Sequence, residues 1–349
     1  MAKMLVVGPS GKGGATSFIK KLISHKKTND LEVDWFIDKF DSKPNSFPIK
    51  FFESLKLLLQ LLKYNKNVCY DYSLLICNSS GLSFSKNFIQ AIILRIITTK
   101  FLVRFGGSTQ ESFFRKGSLS LLFQYFFAIQ DLSIFQSKNL TKIFQPYMSK
   151  NLAYMIMPNF VDKEKISNDF VVPKNPLDVI FVSGPDYKRK GLVTVLNIIN
   201  RVNAKDFNFT GIGTPDKLLF LESKFENLTL LPYLNKQDVE KLMSNSHILL
   251  LPTQNEGFPN IVVEAMSKGL PVISSKAGAL VEIIENGVNG YTIVNSDCDL
   301  FLSKLLALSR NPDKYKEISK KNIETVKRLY CQEKVFDVFL NRINTLDDY

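Results

Sequence analysis

Residues that could bind an anionic ligand are concentrated between Leu249 and Ile293, in the stretch "LLLPTQNEGFPNIVVEAMSKGLPVISSKAGALVEIIENGVNGYTI". An apolar strand leads into a loop that contains Glu256 and Gly257, and Pro259 can serve as the first residue of a following helix. Backbone N–H groups at the start of such a helix favour negative charge. The stretch therefore predicts a binding site for an anionic group such as a nucleotide diphosphate.

Two carboxylates in this stretch suit the binding of hydroxyl groups better than acid–base catalysis. Glu256 precedes the predicted helix and Glu264 lies in its second turn, so the two are separated along the helix axis and form no tight pair. Each can accept hydrogen bonds from a different part of one extended ligand, such as a nucleotide-sugar. In the alternative interpretation Glu256 only faces the helix dipole and Glu264 is a solvated helix residue. That alternative accounts for each carboxylate alone but not for their arrangement with the glycine loop.

A second glycine-rich loop lies near the start of the chain, in "VVGPSGKGGATSF". It fails the spacing of a triphosphate-binding loop because Lys12 is followed by Gly13 rather than by Ser or Thr. It fails the dinucleotide fingerprint because Thr16 stands where the third glycine is due. Taken alone, the loop is equally compatible with an anion site and with an ordinary strand-to-helix turn.

The elements that position these loops alternate between strands and helices, which is typical of parallel, doubly wound sheets. A first series of strands is predicted at Met4–Val7, Val33–Ile37, Ser73–Cys77, Phe101–Arg104, Leu132–Phe135 and Met155–Met157. A second series is predicted at Val179–Ser183, Phe207–Gly211, Leu228–Leu231, Ile248–Pro252, Pro271–Ser274 and Tyr291–Val294. Helices are predicted after Gly191 and at Lys236–Ser244, Pro259–Lys268, Leu280–Glu285, Asp299–Ala307 and twice within Asp313–Leu346.

A polar, proline-containing segment, "VDKEKISNDFVVPKNPLD", separates the two series and marks a linker. The chain is therefore predicted to be an α/β protein with two Rossmann-like, doubly wound lobes facing each other across a cleft. The first lobe is predicted over residues 1–165 and the second over residues 166–329.

The charge of the chain is divided unevenly between these lobes. The formal net charge is +12, and residues 1–165 hold 23 Lys and Arg against 11 Asp and Glu, which accounts for the whole excess. A basic first lobe predicts an anionic partner, either nucleic acid, an anionic membrane or a phosphate-linked substrate, although it could also serve solubility alone. Nucleic acid is the least favoured because the sequence has no tight Lys/Arg run and no nucleic-acid motif.

Several other classes of protein are disfavoured. The apolar stretches are interrupted by charged or polar residues before the ~20 residues that a membrane span needs, and no secretory signal is predicted. The four cysteines form no C-x-x-C pair and are predicted to be buried thiols in a reducing compartment. His247 is predicted to be structural. The "DCD" motif beginning at Asp297 is predicted to cap a helix, so no metal site is expected.

The stretch from Glu256 to Val272 resembles the donor-binding signature of the retaining glycosyltransferases of family 4, E-G-F-P-x-x-x-x-E-A-M-x-x-G-x-P-V. "PNFVD" at 158–162 is similar to the family's interdomain motif, and "FVSGPDYKRKGL" at 181–192 resembles the first strand and turn of its donor lobe. "GKGGA" and "VRFGGS" resemble glycine loops of its first lobe. The resemblance is strong over 181–294 and weak over 40–100.

This resemblance implies the two-lobed GT-B fold, with C-terminal residues 330–349 packed on the first lobe. It also implies sugar transfer from a nucleotide donor with retention of configuration. Glu264 would bind the ribose, Glu256 would bind hydroxyls of the transferred sugar, and Lys190 would neutralise the diphosphate leaving group. The amides facing the diphosphate and sugar would be those around Pro259, namely Gly257, Phe258 and Asn260.

The sequence also departs from the family pattern. Gly184 stands where the family usually has an arginine, so either Arg189 or Lys188 from the neighbouring turn is the candidate for the second cation. Arg104 and two glycines replace a His-Gly loop in the first lobe. The residues expected to approach the acceptor or the diphosphate from that lobe are Lys12, Gly13, Gly14, Gly106 and Gly107.

The expected function is that of a metal-independent, retaining hexosyltransferase without a cofactor. It would move a hexose from a nucleotide diphosphate sugar, a UDP-sugar, to a lipid-linked saccharide in bacterial capsule or O-antigen (lipopolysaccharide) biosynthesis. It would act as a peripheral membrane protein at the inner face of the cell membrane, held by its basic half. The alternatives are another reaction on the same fold, such as an epimerase or phosphorylase, and a non-catalytic nucleotide-sugar or membrane-binding subunit.

Overall fold

The computed structural model describes residues 1–10, 14–25, 31–38, 59–63, 68–78, 82–106, 120–294 and 297–346. The chain forms two compact units. Unit 1 comprises Met1–Pro158 together with Phe336–Tyr349, and unit 2 comprises Asn159–Val335. The chain therefore passes between the units twice, and the change of lobe predicted at 165–166 falls inside unit 2.

Unit 1 contains a parallel six-stranded sheet with the order β2-β1-β3-β4-β5-β6. Its strands are β1 (Ala2–Pro9), β2 (Leu31–Asp38), β3 (Tyr70–Asn78), β4 (Thr98–Gly106), β5 (Leu132–Phe135) and β6 (Tyr154–Ile156). Its helices are α1 (Gly14–Ile23), α2 (Leu82–Ile97), α3 (Ser120–Ala128), α4 (Lys138–Phe144) and, from the C-terminal part of the chain, α11 (Gln332–Asn344). Residues 59–63 are also helical.

Helices cover both faces of this sheet. Successive side chains of a strand point to opposite sides, so apolar strands give the sheet two apolar faces, and each must be covered. On one face, α2, α3 and α4 pack on a core rich in phenylalanine, which includes Phe84, Phe105 and Phe126. On the other face lie α1 and α11, where the ring of Phe336 is 4.8 Å from that of His25. Strands of a parallel sheet covered in this way are buried on both faces, as consecutive residues Met4–Val7 of β1 show.

Unit 2 contains a second parallel six-stranded sheet, with the order β12-β11-β10-β7-β8-β9. Its strands are β7 (Leu177–Val182), β8 (Phe207–Ile212), β9 (Leu228–Leu230), β10 (Ile248–Leu251), β11 (Val272–Ser275) and β12 (Gly290–Ile293). Its helices are α5 (Leu192–Ile199), α6 (Lys236–Ser244), α7 (Asn260–Ser267), α8 (Leu280–Ile283), α9 (Cys298–Arg310) and α10 (Pro312–Thr325). Unit 2 also has 3-10 segments at Lys163–Lys165 and Asp216–Lys224 and a π-helix at Val326–Tyr330 after α10, and unit 1 has a 3-10 segment at Gln145–Tyr147 after α4.

All twelve predicted strands are present, with ends that shift by a few residues. The prediction for the start of α7 was wrong by one residue. Pro259 has an extended conformation, with φ −73° and ψ 116°, and precedes the first helical residue. The end of α7 was predicted correctly in substance: Gly269 has φ +78°, and the N–H of Leu270 donates to the carbonyl of Ala265 as in a Schellman cap.

The cysteine prediction was only partly right. All four thiols are free, and Cys77 and Cys331 are buried, but Cys69 is exposed at the entry to β3 and Cys298 is half-buried. Within the described ranges, no helix combines the length and apolar character that crossing a membrane requires.

Candidate active site

The strand order of unit 2 reverses between its two central strands, β7 and β10, which pair directly. Ligands of open parallel sheets bind where the order reverses, outside the carboxyl ends of the strands. A cavity of about 950 Å³ lies at this edge, within unit 2. The predicted site residues that line it are Gly184, Lys190, Glu256, Pro259 and Asn260.

The centre of the polar lining is the buried carboxylate of Glu256, which is 8% exposed. Its Oε1 accepts a hydrogen bond from Lys190 Nζ at 2.5 Å and one from Thr253 Oγ1 at 3.1 Å. Arg189 Nη1 lies 3.6 Å from the same oxygen. A buried carboxylate needs such partners because its charge is costly to remove from water. The structure therefore brings Lys190, Arg189 and Glu256 together although 66 residues separate Lys190 from Glu256.

Arg189 joins the loop after β10 to the turn before α5. Its Nη1 donates to the carbonyl of Asn255 and its Nε to Asp186 at 2.6 Å. Its own carbonyl accepts from the N–H of Gln254 at 2.9 Å. Lys188, the other candidate for the second cation, is exposed. Of the two, Arg189 is the one placed beside Glu256.

Two glycines that the sequence reasoning did not select hold the loop after β10. A Cβ at Gly191 would lie 2.0 Å from the carbonyl oxygen of Pro252, and one at Gly278 would lie 1.6 Å from that of Glu256. Both glycines have positive φ, +81° and +52°. No other residue fits at either position without moving the loop. The sequence signal for these two roles was weak: Gly191 directly follows Lys190, and Gly278 precedes a short helix.

The first turn of α7 is fixed by contacts of Phe258. Its carbonyl accepts a hydrogen bond from Asn159 Nδ2 at 2.9 Å. Its ring is buried and meets the ring of Tyr330 edge-on at 5.8 Å, and burial raises the pKa of Tyr330 to about 12. The side chain of Phe258 thus anchors the loop in the core, while the N-terminus of α7 follows immediately. Asn159 belongs to the "PNFVD" motif, so this motif supports the site from within unit 2.

Two buried hydroxyl groups at the same edge of the sheet were missed. Ser183 and Thr214 are 0% and 2% exposed, and neither hydroxyl has a hydrogen-bond partner among the described residues. Thr214 lines the cavity. Because buried hydroxyls nearly always have a partner, Thr214 is a candidate ligand contact. The "GIGT" sequence at 211–214, where β8 ends, was the signal that could have identified it.

Glu264 and Gly257 are not among the described residues that line this cavity. Glu264 is half-buried in α7. Gly257 instead accepts a hydrogen bond from the N–H of Ala279 through its carbonyl, at 3.1 Å. Of the two carboxylates, Glu256 is the one found among the described lining residues of this cavity.

The predicted loop residues of the first lobe belong to unit 1. Gly14 is the first residue of α1 and is exposed, and Gly106 is the last residue of β4. Lys12, Gly13 and Gly107 lie outside the described residues.

Two predictions of structural roles are confirmed. His247 is fully buried, its Nδ1 accepts from the N–H of Asp178 at 2.9 Å, and burial lowers its pKa. Asp297 caps α9, since its Oδ1 accepts from the N–H groups of Asp299 and Leu300 at 2.9 and 3.2 Å.

Residues 162–325 match the family model described as glycosyl transferases group 1. A relative of similar length is the uncharacterized glycosyltransferase MJ1178 of Methanocaldococcus jannaschii, 23% identical over 93% of both chains. An uncharacterized 41.2 kDa protein in the cps region of Klebsiella pneumoniae is 27% identical over 40% of this chain and 38% of its own. The putative colanic acid biosynthesis glycosyltransferase WcaL of Salmonella typhimurium is 26% identical over 40% of this chain and 37% of its own.

Solved structures share the fold over nearly the whole chain. Sucrose-phosphate synthase from Thermosynechococcus elongatus superposes with a TM-score of 0.81 at 13% identity, covering 100% of both chains. Anabaena HepE in complex with UDP-glucose gives 0.71 at 15% identity, covering 99% of this chain and 100% of its own. The apo form of the lipopolysaccharide outer core galactosyltransferase WaaB gives 0.72 at 17% identity, covering 98% of this chain and 100% of its own. With the two parallel sheets described above, these comparisons show the GT-B fold and support a glycosyltransferase, an enzyme of the transferase class.

Proposed function

We propose that this chain is a retaining glycosyltransferase of family 4 that transfers a hexose from a nucleotide diphosphate sugar, a UDP-sugar. The observation that carries the proposal is the buried Glu256 carboxylate held by Lys190 at the point where the strand order of unit 2 reverses. The cavity beside this pair is large enough for a drug-sized or nucleotide-sized ligand. The HepE structure, which holds UDP-glucose on the same fold, supports the choice of donor.

The proposed roles follow from charge and position. Lys190 and the N-terminus of α7, with the amides around Pro259 and Asn260, face the diphosphate. As the bond between the sugar and the diphosphate breaks, negative charge grows on the departing phosphate oxygen, and cations and N–H dipoles placed there stabilise it. Gly184 stands at the position where the family usually has an arginine, and Arg189 supplies the second cation in its place. Because the protein supplies this positive charge itself, we propose that the reaction needs neither a metal ion nor a cofactor.

Glu256 and Glu264 are proposed to accept hydrogen bonds from different hydroxyl groups of the donor. Glu256 binds the transferred hexose and also keeps Lys190 in place. Glu264 binds the ribose, and the amides of Gly257 and Phe258 face the diphosphate and the sugar. For Glu264 the support is the motif alone, since the cavity described above does not include it.

The proposed acceptor is a lipid-linked saccharide in the biosynthesis of a bacterial surface polysaccharide, either capsule or O-antigen. The relatives from the cps region and from colanic acid biosynthesis, and the lipopolysaccharide galactosyltransferase among the structural neighbours, support this class of product. The glycine loops of unit 1, at 12–14 and 106–107, are proposed to contact the acceptor or the diphosphate. The basic charge of residues 1–165 suits peripheral contact with an anionic membrane at its cytoplasmic face rather than nucleic acid.

A panel of nucleotide-sugars tests the donor first. A donor present at ~100 times its Kd stabilises the protein by ~2.7 kcal/mol, which thermal unfolding detects. Release of the nucleotide diphosphate is then measured with and without a lipid-linked saccharide extract. Transfer requires release that depends on the acceptor, whereas release or isomerisation without an acceptor would indicate a hydrolase or an epimerase.

A second candidate is a non-catalytic subunit that binds nucleotide-sugar. The observation that favours it is Gly184, which has φ +64° and no side chain where the family places a cation. A donor that stabilises the protein without ever being consumed, in the presence of any lipid extract, would establish this alternative.

A further inference from the structure

Three successive carbonyl groups hold the loop that leads from β10 into α7. The carbonyl of Glu256 is packed against Gly278, where a Cβ would lie 1.6 Å from its oxygen. The carbonyl of Gly257 accepts a hydrogen bond from the N–H of Ala279 at 3.1 Å. In a trans peptide the following N–H points away from the carbonyl. Both contacts therefore turn N–H groups of the loop away from the segment 278–279.

The third carbonyl, that of Phe258, is held by a side chain. It accepts a hydrogen bond from Asn159 Nδ2 at 2.9 Å. The peptide that joins Phe258 to Pro259 has no N–H, and the proline ring fixes the φ of Pro259, here −73°. The orientation of the Phe258 carbonyl therefore sets the direction in which α7 begins, and Asn159 fixes that orientation.

The first two residues of α7, Asn260 and Ile261, line the cavity together with Lys190. The first N–H groups of a helix have no partner within the helix, and they favour an anion. Lys190 belongs to a different loop, the one after β7. A change in the orientation of the Phe258 carbonyl would therefore turn the N–H groups of α7 relative to the cation that is proposed to share the diphosphate with them.

The backbone that carries Asn159 is itself held in place. Two residues further on, the N–H of Val161 donates to the carbonyl of Tyr330, and the carbonyl of Val161 accepts from the N–H of Gln332, both at 2.9 Å. Within unit 2, these bonds join the segment after the first passage of the chain between the units to the segment before the second. The ring of Phe258 packs on Tyr330 as well. The ring and the carbonyl of Phe258 are thus held by the same pair of segments.

We propose that Asn159 is a positioning residue for the donor: through the Phe258 carbonyl it orients the first N–H groups of α7 toward the diphosphate. The inference deepens the proposed function and rests on its assignment of the diphosphate to this helix. Asn159 is not among the described residues that line the cavity, so it acts through Phe258 rather than on the ligand. Loss of its amide should therefore weaken the binding of the phosphate groups and leave the binding of the nucleoside unchanged.

The test compares Asn159→Leu with Asn227→Leu in the full chain. Leucine keeps the branched shape of asparagine and removes the donor. Asn227 makes the same kind of bond, from Nδ2 to the carbonyl of Phe207 at 3.0 Å. Phe207 is the first residue of β8, whereas the cavity meets that strand at its last residue, Ile212. The control bond therefore lies at the opposite edge of the same sheet.

Titration calorimetry measures the Kd of UDP and, by competition, that of uridine for the wild type and both variants. Urea denaturation measures the stability of the three proteins. Uridine lacks the phosphates, so a variant that merely damages the cavity loses affinity for both ligands, whereas a variant that only misdirects α7 loses affinity for UDP alone.

Both substitutions are expected to lower the denaturation midpoint, because each leaves a carbonyl without its donor. Asn159→Leu should raise the Kd of UDP about three- to tenfold and leave that of uridine unchanged, whereas Asn227→Leu should change neither. Should Asn159→Leu not fold, Asn159→Ser replaces it with the same expectation, because its hydroxyl is one bond shorter than the amide and does not reach the carbonyl.

An equal Kd of UDP for the wild type and Asn159→Leu would overturn the inference, and so would a parallel loss of affinity for UDP and uridine. A loss of UDP affinity in Asn227→Leu of the same size as in Asn159→Leu would also overturn it. These outcomes leave the proposed donor in place. A wild type that binds neither UDP nor uridine would instead contradict the proposed donor, and the inference would fall with it.

Discussion

Units 1 and 2 share one plan, a parallel six-stranded sheet whose strand order reverses beside its first strand, but they bury charged side chains in different ways. In unit 2 the loops after β7 and β10 bring Lys190 onto the buried carboxylate of Glu256. In unit 1 a buried charge on β4, Arg104, is stacked instead on Phe18 at 4.2 Å. Burial lowers the pKa of Arg104 to about 10. The same topology therefore holds a buried carboxylate beside a cavity in unit 2 and a buried guanidinium against an aromatic ring in unit 1.

Topology provides the place for a ligand site, and local backbone contacts determine the chemistry of that site. In unit 2 the loop after β10 is held from two sides by glycines whose missing side chains let backbone segments touch. In unit 1 the glycine at the end of β1, Gly8, lies instead against the side chain of Ile19. Substitutions in the two units should therefore have different consequences.

The largest effect is expected for Gly278→Ala. The new Cβ would lie 1.6 Å from the Glu256 carbonyl oxygen at a positive φ, so the loop must move, and the free energy of unfolding should fall by at least ~3 kcal/mol. Transfer should be lost with it. Gly287→Ala is the matched control: its φ is +74° with no atom within 4 Å, so only the backbone strain of about 1 kcal/mol applies. Chemical denaturation measures both, and equal losses would contradict the role assigned to the contact.

Gly8→Ala provides the corresponding measurement in unit 1. Its Cβ would meet Ile19 Cδ1 at 2.7 Å, the end of a flexible side chain, at an ordinary φ. The cost should be about 1–3 kcal/mol, the range for overpacking a core, and donor binding by unit 2 should not change. A loss of donor binding equal to that of Gly278→Ala would show that the two units do not differ in the way described.

A smaller effect is expected for Thr214→Val. If its buried hydroxyl contacts the donor, its removal should weaken nucleotide-sugar binding by ~0.5–1.5 kcal/mol, up to about tenfold in Kd. Thr229→Val on β9 is the control, because Thr229 is exposed and outside the cavity. Calorimetric titration with the donor distinguishes them, and identical affinities would remove Thr214 from the site.

The smallest effect concerns pH. Burial lowers the pKa of His247 below its ordinary value of 6.5, an effect that Asp178 opposes and Lys174 reinforces. The folded chain then binds fewer protons than the unfolded chain, so the free energy of unfolding should fall as the pH drops below about 6.5. His247→Asn should show a shallower fall between pH 8 and pH 5 in denaturation curves. An unchanged slope would assign the acid sensitivity to other groups.

Much of the fold could be predicted from the sequence because its signals are local. Runs of apolar residues identified all twelve strands, and Lys236–Ser244 was predicted with the observed ends. The start of α7 was missed by one residue because a proline is compatible with both the first helical position and the extended residue before it. Asp297 was identified as a cap because an aspartate before an amphipathic pattern acts through its own neighbouring N–H groups.

The site was harder to predict because its contacts join distant segments. The pairing of Lys190 with Glu256 spans 66 residues, and no local pattern showed that Gly278 would touch the Glu256 backbone. Thr214 had no periodicity that distinguished it from an ordinary turn residue. Whether Glu256 and Glu264 face one ligand depends on how α7 is rotated, which the spacing of the two glutamates in the sequence does not determine.

Sugar transfer by Lys190→Ala and by Lys188→Ala, measured with a donor selected from the nucleotide-sugar panel and a lipid-linked saccharide extract, tests most directly whether this cavity is the site of transfer. Lys190 lines the cavity and contacts Glu256, whereas Lys188 is exposed nearby. We expect Lys190→Ala to lose a charge-assisted contact of ~1.5–3 kcal/mol, which lowers kcat/KM by about tenfold or more. Lys188→Ala should keep the wild-type rate. Equal rates for Lys190→Ala and the wild type would contradict the assignment of this cavity as the site of sugar transfer.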